Sequence, residues 1–441
     1  MTDLRGGPRT VDPAALPVDI GDLAVQPDFL PEAPYRIPAE RYTSAEFARL
    51  ENERLWPKVW QVACSVDHVA APGDAVECRL GPLSAIVVRD PSGELRAFQN
   101  VCRHRGNSIC QGGSRGLTEL RCPYHRWAWD LQGSLKEVPS RRGFGALDSS
   151  ELGLIPVAVG SWGPLVFVNF DPDAAPLRDF LEGIPDDAAW ADLDQLRCVV
   201  TATTQVPCNW KVIVDGFSET YHVQGIHGEM LASIDDVHAP QRFWGRHGAS
   251  YQAYGVPSPR LGRDVSPATV WASFCEVMGD RVGADQSADR PPPVPAGETM
   301  QDVIADRIRS AQAALGVDLS RYSTDAILRL AQYNLFPNAT FLVWADMVNL
   351  LIGRPGPTPD QAEFSSWVFT RAADKNAPRK PPLDVHRPPD ADMGVVLNAD
   401  LGVLMTMQQG LRQPGFRELV LSAEECRIVN FHRNLERQLG I

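Results

Sequence analysis

The chain has 441 residues, 44% of them apolar, which is enough for two packed cores. A formal charge of -13 excludes the basic face that phosphate backbones require, so no nucleic-acid partner is expected. There is no run of about 18 or more apolar residues, so no membrane-spanning helix is expected either.

The opening stretch MTDLRGGPRTVDPAALPVDI lacks a basic start followed by an apolar run, so no secretory signal is expected. Nine cysteines suit a reducing compartment with mostly free thiols, and a cytoplasmic location is the expectation. From about residue 58 to 170 short β-rich runs alternate with turn residues: VWQVAC, DAVECRL, SAIVVRD, LRAFQNV and GPLVFVNFDP.

Between these strands lie two loops that each pair a cysteine with a histidine. Cys102-x-His104 and Cys122-x2-His125 are separated by residues 105–121, with Cys110 left over. Structural zinc commonly takes two cysteines from one knuckle and two histidines from another. A 2Fe-2S cluster of the Rieske kind places two thiolates on one iron and two imidazoles on the other, which suits two mixed arms. Gly106, Gly112, Gly113 and Gly116 allow close amide approach and Pro123 stiffens the second tip. A zinc ribbon remains the rival.

After residue 170 longer helical windows mix with strands, an α+β pattern. WKVIVDGFSETYHV has helical spacing, TMQDVIADRIRSAQAALG is an amphipathic helix, and TFLVWADMVNLLIG reads as one buried strand that lines a pocket with Phe217 or belongs to the core. The proline-rich stretches at 290–298 and 377–389 read as loops.

His222 and His227 lie five residues apart, with Glu219 three before the first. On one continuous helix Asp215, Glu219 and His222 would share a face. The two histidines would sit about 140° apart, so the chain must loosen near Gly225 for both to reach one metal. Taken alone, each histidine could be a satisfied core or surface group. A late helix, DMGVVLNADLGVLMTMQQGL, carries Asp400 on an apolar stripe formed by Val396, Leu397, Val403, Leu404 and Met407. A carboxylate there is costly without a compensating cation. Asp392 is its nearest competitor.

CRHRG and CPYHRWAWDLQG resemble the cluster-binding motif of the large subunits of Rieske non-haem iron oxygenases, the aromatic ring-hydroxylating family. NWK…DGFSE-x-YH-x4-H is similar to that family's iron-binding segment. The resemblance implies an N-terminal all-β Rieske domain and a C-terminal α+β catalytic domain with a helix-grip antiparallel sheet. The implied bounds are 1–45 for a segment packed on the catalytic domain, 46–170 for the Rieske domain and 171–441 for the catalytic domain. It implies that Cys102, His104, Cys122 and His125 hold the cluster. His222, His227 and Asp400 would hold a mononuclear Fe(II), with a following glutamine matched by Gln409. Glu219 would link the first iron histidine to His125 of a neighbouring subunit.

Three residues depart from the pattern. Arg126 stands where glycine often follows the second cluster histidine, and Gly216 where asparagine is frequent. The implied function is that of an oxygenase component. Electrons from NAD(P)H would arrive through a separate reductase, with or without a ferredoxin, since no G-x-G-x-x-G follows a strand. O2 would then hydroxylate or demethylate a small organic substrate, aromatic or polycyclic. Glu219 in place of the usual aspartate is similar to members that oxidise quaternary amines, the alternative. An electron carrier without oxygenase chemistry is a further rival. The implied assembly is a homotrimer, with or without a small β subunit.

Overall fold

The structure, a computed structural model, describes residues 30, 32–283 and 289–441. Most of the expected N-terminal segment lies outside the described residues. Within them, Tyr35–Pro38 pairs antiparallel with Glu418–Leu421, which ties this part of the chain to the last 25 residues. Among the described residues no helix is long and apolar enough to cross a membrane.

The β-rich runs form strands where expected. Ala75–Leu80, Leu83–Arg89 and Leu95–Gln99 make an antiparallel meander in a four-stranded sheet. Leu165–Asn169 lies between Gln61–Ser65 and Ala158–Trp162 in a second sheet. Two buried clusters fill this unit, one around Val76, Val87 and Val166, the other around Ile86, Phe98 and Trp129. The second cluster reaches the buried side of both cysteine loops.

The remainder is organised by a nine-stranded sheet. Its order is Ile234–Asp235, His247–Tyr254, Arg329–Leu335, Ala339–Val343, Met347–Pro355, Ala362–Arg371, Leu196–Val206 and Leu383–His386, with Gln241–Trp244 paired beside His247–Tyr254. Neighbours run antiparallel, except the last pair, which is parallel. Seven helices matter here: α1 (Ala45–Arg54), α2 (Trp210–Gly216), α3 (Val223–Ile226), α4 (Pro267–Met278), α5 (Met300–Ala314), α6 (Val395–Leu411) and α7 (Cys426–Leu439). Helices α2 and α7 pack with the sheet in one core, around Trp210, Phe341, Phe364 and Phe431. Helices α4 and α5 pack with Val223 and Leu231 in another, around Trp271, Phe274 and Ile304.

Three local expectations are corrected. TFLVWADMVNLLIG is two strands, Ala339–Val343 and Met347–Pro355, because Trp344, Ala345 and Asp346 form the turn of a hairpin. The stretch at 377–389 contains the strand Leu383–His386, which covers the edge of Leu196–Val206. The window from Trp210 to Val223 is not one helix. Helix α2 ends at Phe217, whose carbonyl accepts from Gln332 Nε2 at 2.6 Å and Asn334 Nδ2 at 3.0 Å, so the sheet takes the acceptor at the point where the helix stops.

Helix α1 packs against α7 and α2 through a buried ion pair. Lys211 Nζ donates to Glu51 Oε1 at 2.5 Å, both side chains are essentially inaccessible, and Trp210 Nε1 donates to Glu51 Oε2 at 3.1 Å. Burial lowers the Lys211 pKa against the opposing pull of Glu51. Removing one partner of such a pair leaves an uncompensated charge. Glu51→Ala is therefore expected to destabilise the protein by about 3–5 kcal/mol. Urea denaturation of the two proteins measures the difference.

Candidate active site

The first candidate site is the loop pair. Residues 102–104 follow the strand Leu95–Gln99, and residues 122–125 fill the turn between Leu120–Arg121 and Ala128–Trp129. Asn100 holds the first loop: its Oδ1 accepts from the amides of Ile109 and Cys110 at 2.9 and 3.0 Å, and its Nδ2 donates to the Cys110 carbonyl at 2.8 Å. The Cys110 thiol donates to the Gly112 carbonyl at 3.5 Å. Cys110 serves the loop itself.

Cys102 and Cys122 are buried and not joined in a disulfide. Burial raises the Cys102 pKa, with the Cys122 thiol adding to it, while the amides of His104 and Arg105 bond its sulfur and work the other way. The His104 and His125 rings meet edge to face at 4.7 Å, and Trp127 stacks flat on His104 at 5.0 Å. His104 Nδ1 is buried without a hydrogen-bond partner. Burial, then the neighbouring His125, lowers the His104 pKa and keeps the ring neutral, the form a metal binds. Two thiols with amide donors, two half-buried imidazoles and one orphaned nitrogen fit a cluster at the loop tips.

The second site is built on helix ends. Asn209 caps α2, its side chain accepting from the Lys211 amide at 3.1 Å. After α2 the chain turns through residues 217–221 and re-enters a single short helix, α3, flanked by His222 at its N-cap and His227 at its C-cap. The interruption brings the two rings to 5.3 Å. Gly225 is not the hinge that the spacing suggested. It lies inside α3, and the departure from helix falls at His227, with φ -120 and ψ 49.

Asp400 projects from the middle of α6 and is buried. Its Oδ1 lies 3.0 Å from His227 Nε2 and 3.7 Å from His222 Nε2. One ligand atom from each of the three residues falls within 4.8 Å of the others, so together they could hold a metal ion. Asp392 is exposed and accepts from the Gly394 amide and Asn398 Nδ2, which leaves it outside this group. Gln409 is exposed. The glutamine that α6 uses is Gln408, buried, whose Oε1 accepts from the Asn209 amide at 3.0 Å.

Glu219 is joined to His222 twice, by Nδ1 at 2.6 Å and by the main-chain amide at 2.9 Å. Burial works against its carboxylate, but the His222 charge and these bonds outweigh burial and hold its pKa below the usual range. Burial likewise disfavours the His227 imidazolium, yet Asp400 and Glu229 push its pKa up to about 9. A metal must displace that proton. Asp215 does not share the helix face predicted for it: its Oδ2 accepts from Tyr42 at 2.5 Å. Even so, it borders the same cleft as Glu219, His222 and Asp400, which Phe217, Leu404 and Met407 make largely apolar. The hairpin that replaces TFLVWADMVNLLIG does not border this cleft. Sequence reasoning missed Glu229, whose Oε1 lies 3.3 Å from His227 Nδ1. An acid two residues after a proposed ligand was the available signal.

The profile of the ring hydroxylating alpha subunit (catalytic domain) matches residues 190–441, and that of the Rieske [2Fe-2S] domain matches residues 59–152. The carnitine monooxygenase oxygenase subunit of Escherichia coli K12 is 31% identical over 246 residues, 53% of this chain and 65% of that protein. The glycine betaine monooxygenase oxygenase subunit of Pseudomonas aeruginosa is 28% identical over 47% of this chain and 49% of that protein. The matched stretch thus spans between about half and two thirds of these relatives. Among solved structures, a quaternary ammonium Rieske monooxygenase aligns over 91% of this chain and 95% of its own at TM-score 0.67 and 18% identity. Naphthalene 1,2-dioxygenase from Rhodococcus sp. aligns over 92% and 94% at TM-score 0.62 and 19% identity, so both share the fold. With more than half its length matching the catalytic-domain profile behind a Rieske domain, the chain belongs to the ring-hydroxylating alpha-subunit family of Rieske oxygenases.

Proposed function

We propose that the chain is the oxygenase component of a Rieske system. The reading places the cluster on Cys102, His104, Cys122 and His125, within a domain spanning 46–170. It places the mononuclear iron on His222, His227 and Asp400, within a domain spanning 171–441, with residues 1–45 packed on the latter. The observation that carries it is the convergence of two imidazoles and one buried carboxylate in a chain that also has two mixed Cys/His arms. When bound, such a cluster supplies electrons and such an iron activates O2. The protein's own part is to orient both imidazoles by their far nitrogens, to keep the site dry with Phe217, Leu404 and Met407, and to hold Glu219 against His222.

The same reading takes electrons from NAD(P)H through a separate reductase, with or without a ferredoxin, in the cytoplasm. It takes a homotrimer, with or without a small β subunit, in which one subunit's His125 meets its neighbour's Glu219. Tyr124 beside His125 is 57% exposed, and Tyr221 and Met407 beside the cleft are 45% and 36% exposed. Exposed aromatic and apolar side chains at both ends support such docking.

The substrate is a small organic molecule that is hydroxylated or oxidatively demethylated. An aromatic or polycyclic substrate suits the apolar cleft. The quaternary-amine reading has its own support, Glu219 together with relatives named for carnitine, glycine betaine and choline. Incubating the reconstituted system with each class and counting product against O2 consumed decides between them. Coupled turnover of carnitine or betaine with none of naphthalene would remove the aromatic reading.

Metal content tests the ligand sets. Cys102→Ser and Cys122→Ser are expected to abolish the visible absorption of the cluster, because an alcohol is a poor substitute for thiolate. Cys110→Ser should leave it intact. Asp400→Ala should lower iron by about one per chain with the cluster signal kept, whereas Asp392→Ala should lower nothing. Iron lost in the second variant and retained in the first would move the third ligand to Asp392.

Glu219→Gln separates linking from ligation. Both metal centres should persist, the cluster should still accept electrons from a chemical donor, and product in a single turnover should fall about 10–100-fold. Normal yield would make Glu219 a bystander, and loss of the mononuclear iron would make it a ligand.

A further inference from the structure

We infer that Glu229 is the positioning residue of His227, a counterpart on the second iron histidine of Glu219 on the first. This rests on the iron reading above and extends it to a residue outside the proposed ligand set.

The argument begins with the imidazole. A neutral histidine carries one N–H, and the nitrogen that binds a metal must be the other one. His227 Nε2 faces Asp400 at 3.0 Å and is the nitrogen that would meet an ion there; with Nε2 on the metal the proton is on Nδ1, and in a ring almost wholly buried it requires an acceptor. Glu229 Oε1 lies 3.3 Å from Nδ1. The carboxylate stands on the side of the ring away from Asp400, and the group of three that could hold an ion does not include it. Glu229 therefore orients and does not ligate.

Its main chain is placed for this task. The His227 carbonyl accepts from the Met230 amide at 2.9 Å and the Met230 carbonyl from the Ser233 amide at 2.8 Å, two successive turns that fix the backbone of residues 227–233. Ser273 on α4 donates its hydroxyl to the Glu229 carbonyl at 2.5 Å. That hydroxyl also sits 2.9 Å from Ser233 Oγ. Helix α4 is itself anchored by Trp271 and Phe274 in the core that holds Val223 and Leu231. The far nitrogen of each histidine is thus backed by a glutamate: Glu219 at 2.6 Å, tied also to the His222 amide, and Glu229 at 3.3 Å, tied through its carbonyl to a separate helix.

The test compares Fe(II) affinity, measured by chelator competition on the purified protein, in the parent, Glu229→Ala, Glu229→Gln, Ser273→Ala and His227→Ala. Cluster absorption in each sample serves as the folding control, and the EPR signal of the nitric oxide adduct reports the geometry at the iron. Glu229→Ala is expected to weaken Fe(II) binding about 10–100-fold and to broaden the adduct signal, with the cluster unchanged. Glu229→Gln should recover most of the affinity, since its amide oxygen accepts the same Nδ1–H. Ser273→Ala should lose a smaller part. Parental affinity and signal in Glu229→Ala, beside lost iron in His227→Ala, would overturn the inference and spare the iron reading. A parent without iron beyond that of the cluster would instead overturn the iron reading itself.

Discussion

The buried carboxylate of Asp400 is the constraint to which the rest of the catalytic half answers. A carboxyl group enclosed by Leu404 and the apolar cleft is tolerated only beside positive charge. Two imidazoles lie beside it, and Asp400 together with Glu229 pushes the His227 pKa up to about 9 although burial opposes it. The same pull on positive charge would favour a divalent cation between the three side chains, and α6 is fixed where Asp400 can supply it. Gln408, about two turns beyond Asp400, bonds the Asn209 amide and so locks α6 to the start of α2.

Holding both histidines at one point also explains why the helical window breaks. A continuous helix through residues 210–227 would aim the two imidazoles about 140° apart. The sheet prevents that helix by capturing the Phe217 carbonyl with Gln332 and Asn334. Two polar side chains on the strand Arg329–Leu335, more than a hundred residues away, thus decide where α2 ends. The interruption then lets α3 be so short that His222 and His227 are its two caps, and neither side chain is bound by helical periodicity.

This division accounts for what was legible in the sequence. Cys102, His104, Cys122 and His125 are close in sequence within each arm, so local spacing alone was enough to propose them as a ligand set. Asp400 was legible because a lone acid on an apolar stripe contradicts the burial of its neighbours. Strands 61–65 through 95–99 were legible as β-rich runs bounded by turn residues. The end of α2 was not, since the groups that take the Phe217 carbonyl belong to a distant strand. The hairpin at Trp344 was not, because its buried turn, Trp344-Ala345-Asp346, lacks the usual glycine or proline. Gln408 was not, because it matters only through Asn209, a partner that the fold supplies, whereas Glu229, two residues from His227, was open to local reading and was passed over.

The departures at Arg126 and Gly216 are read from local geometry. Arg126 has φ +64, the left-handed conformation that glycine adopts without strain, and its amide bonds the Cys122 carbonyl at 3.2 Å to close the cluster turn. The preference for glycine there is a demand of the turn, which this chain meets with a strained arginine whose own carbonyl accepts from Arg121. At Gly216 a Cβ would come within 2.9 Å of Leu404 Cδ2, the end of a flexible side chain on α6, so a larger residue there requires Leu404 to shift. Neither substitution therefore speaks to the substrate. The extra methylene of Glu219 relative to aspartate is taken up in reaching both the ring and the amide of His222.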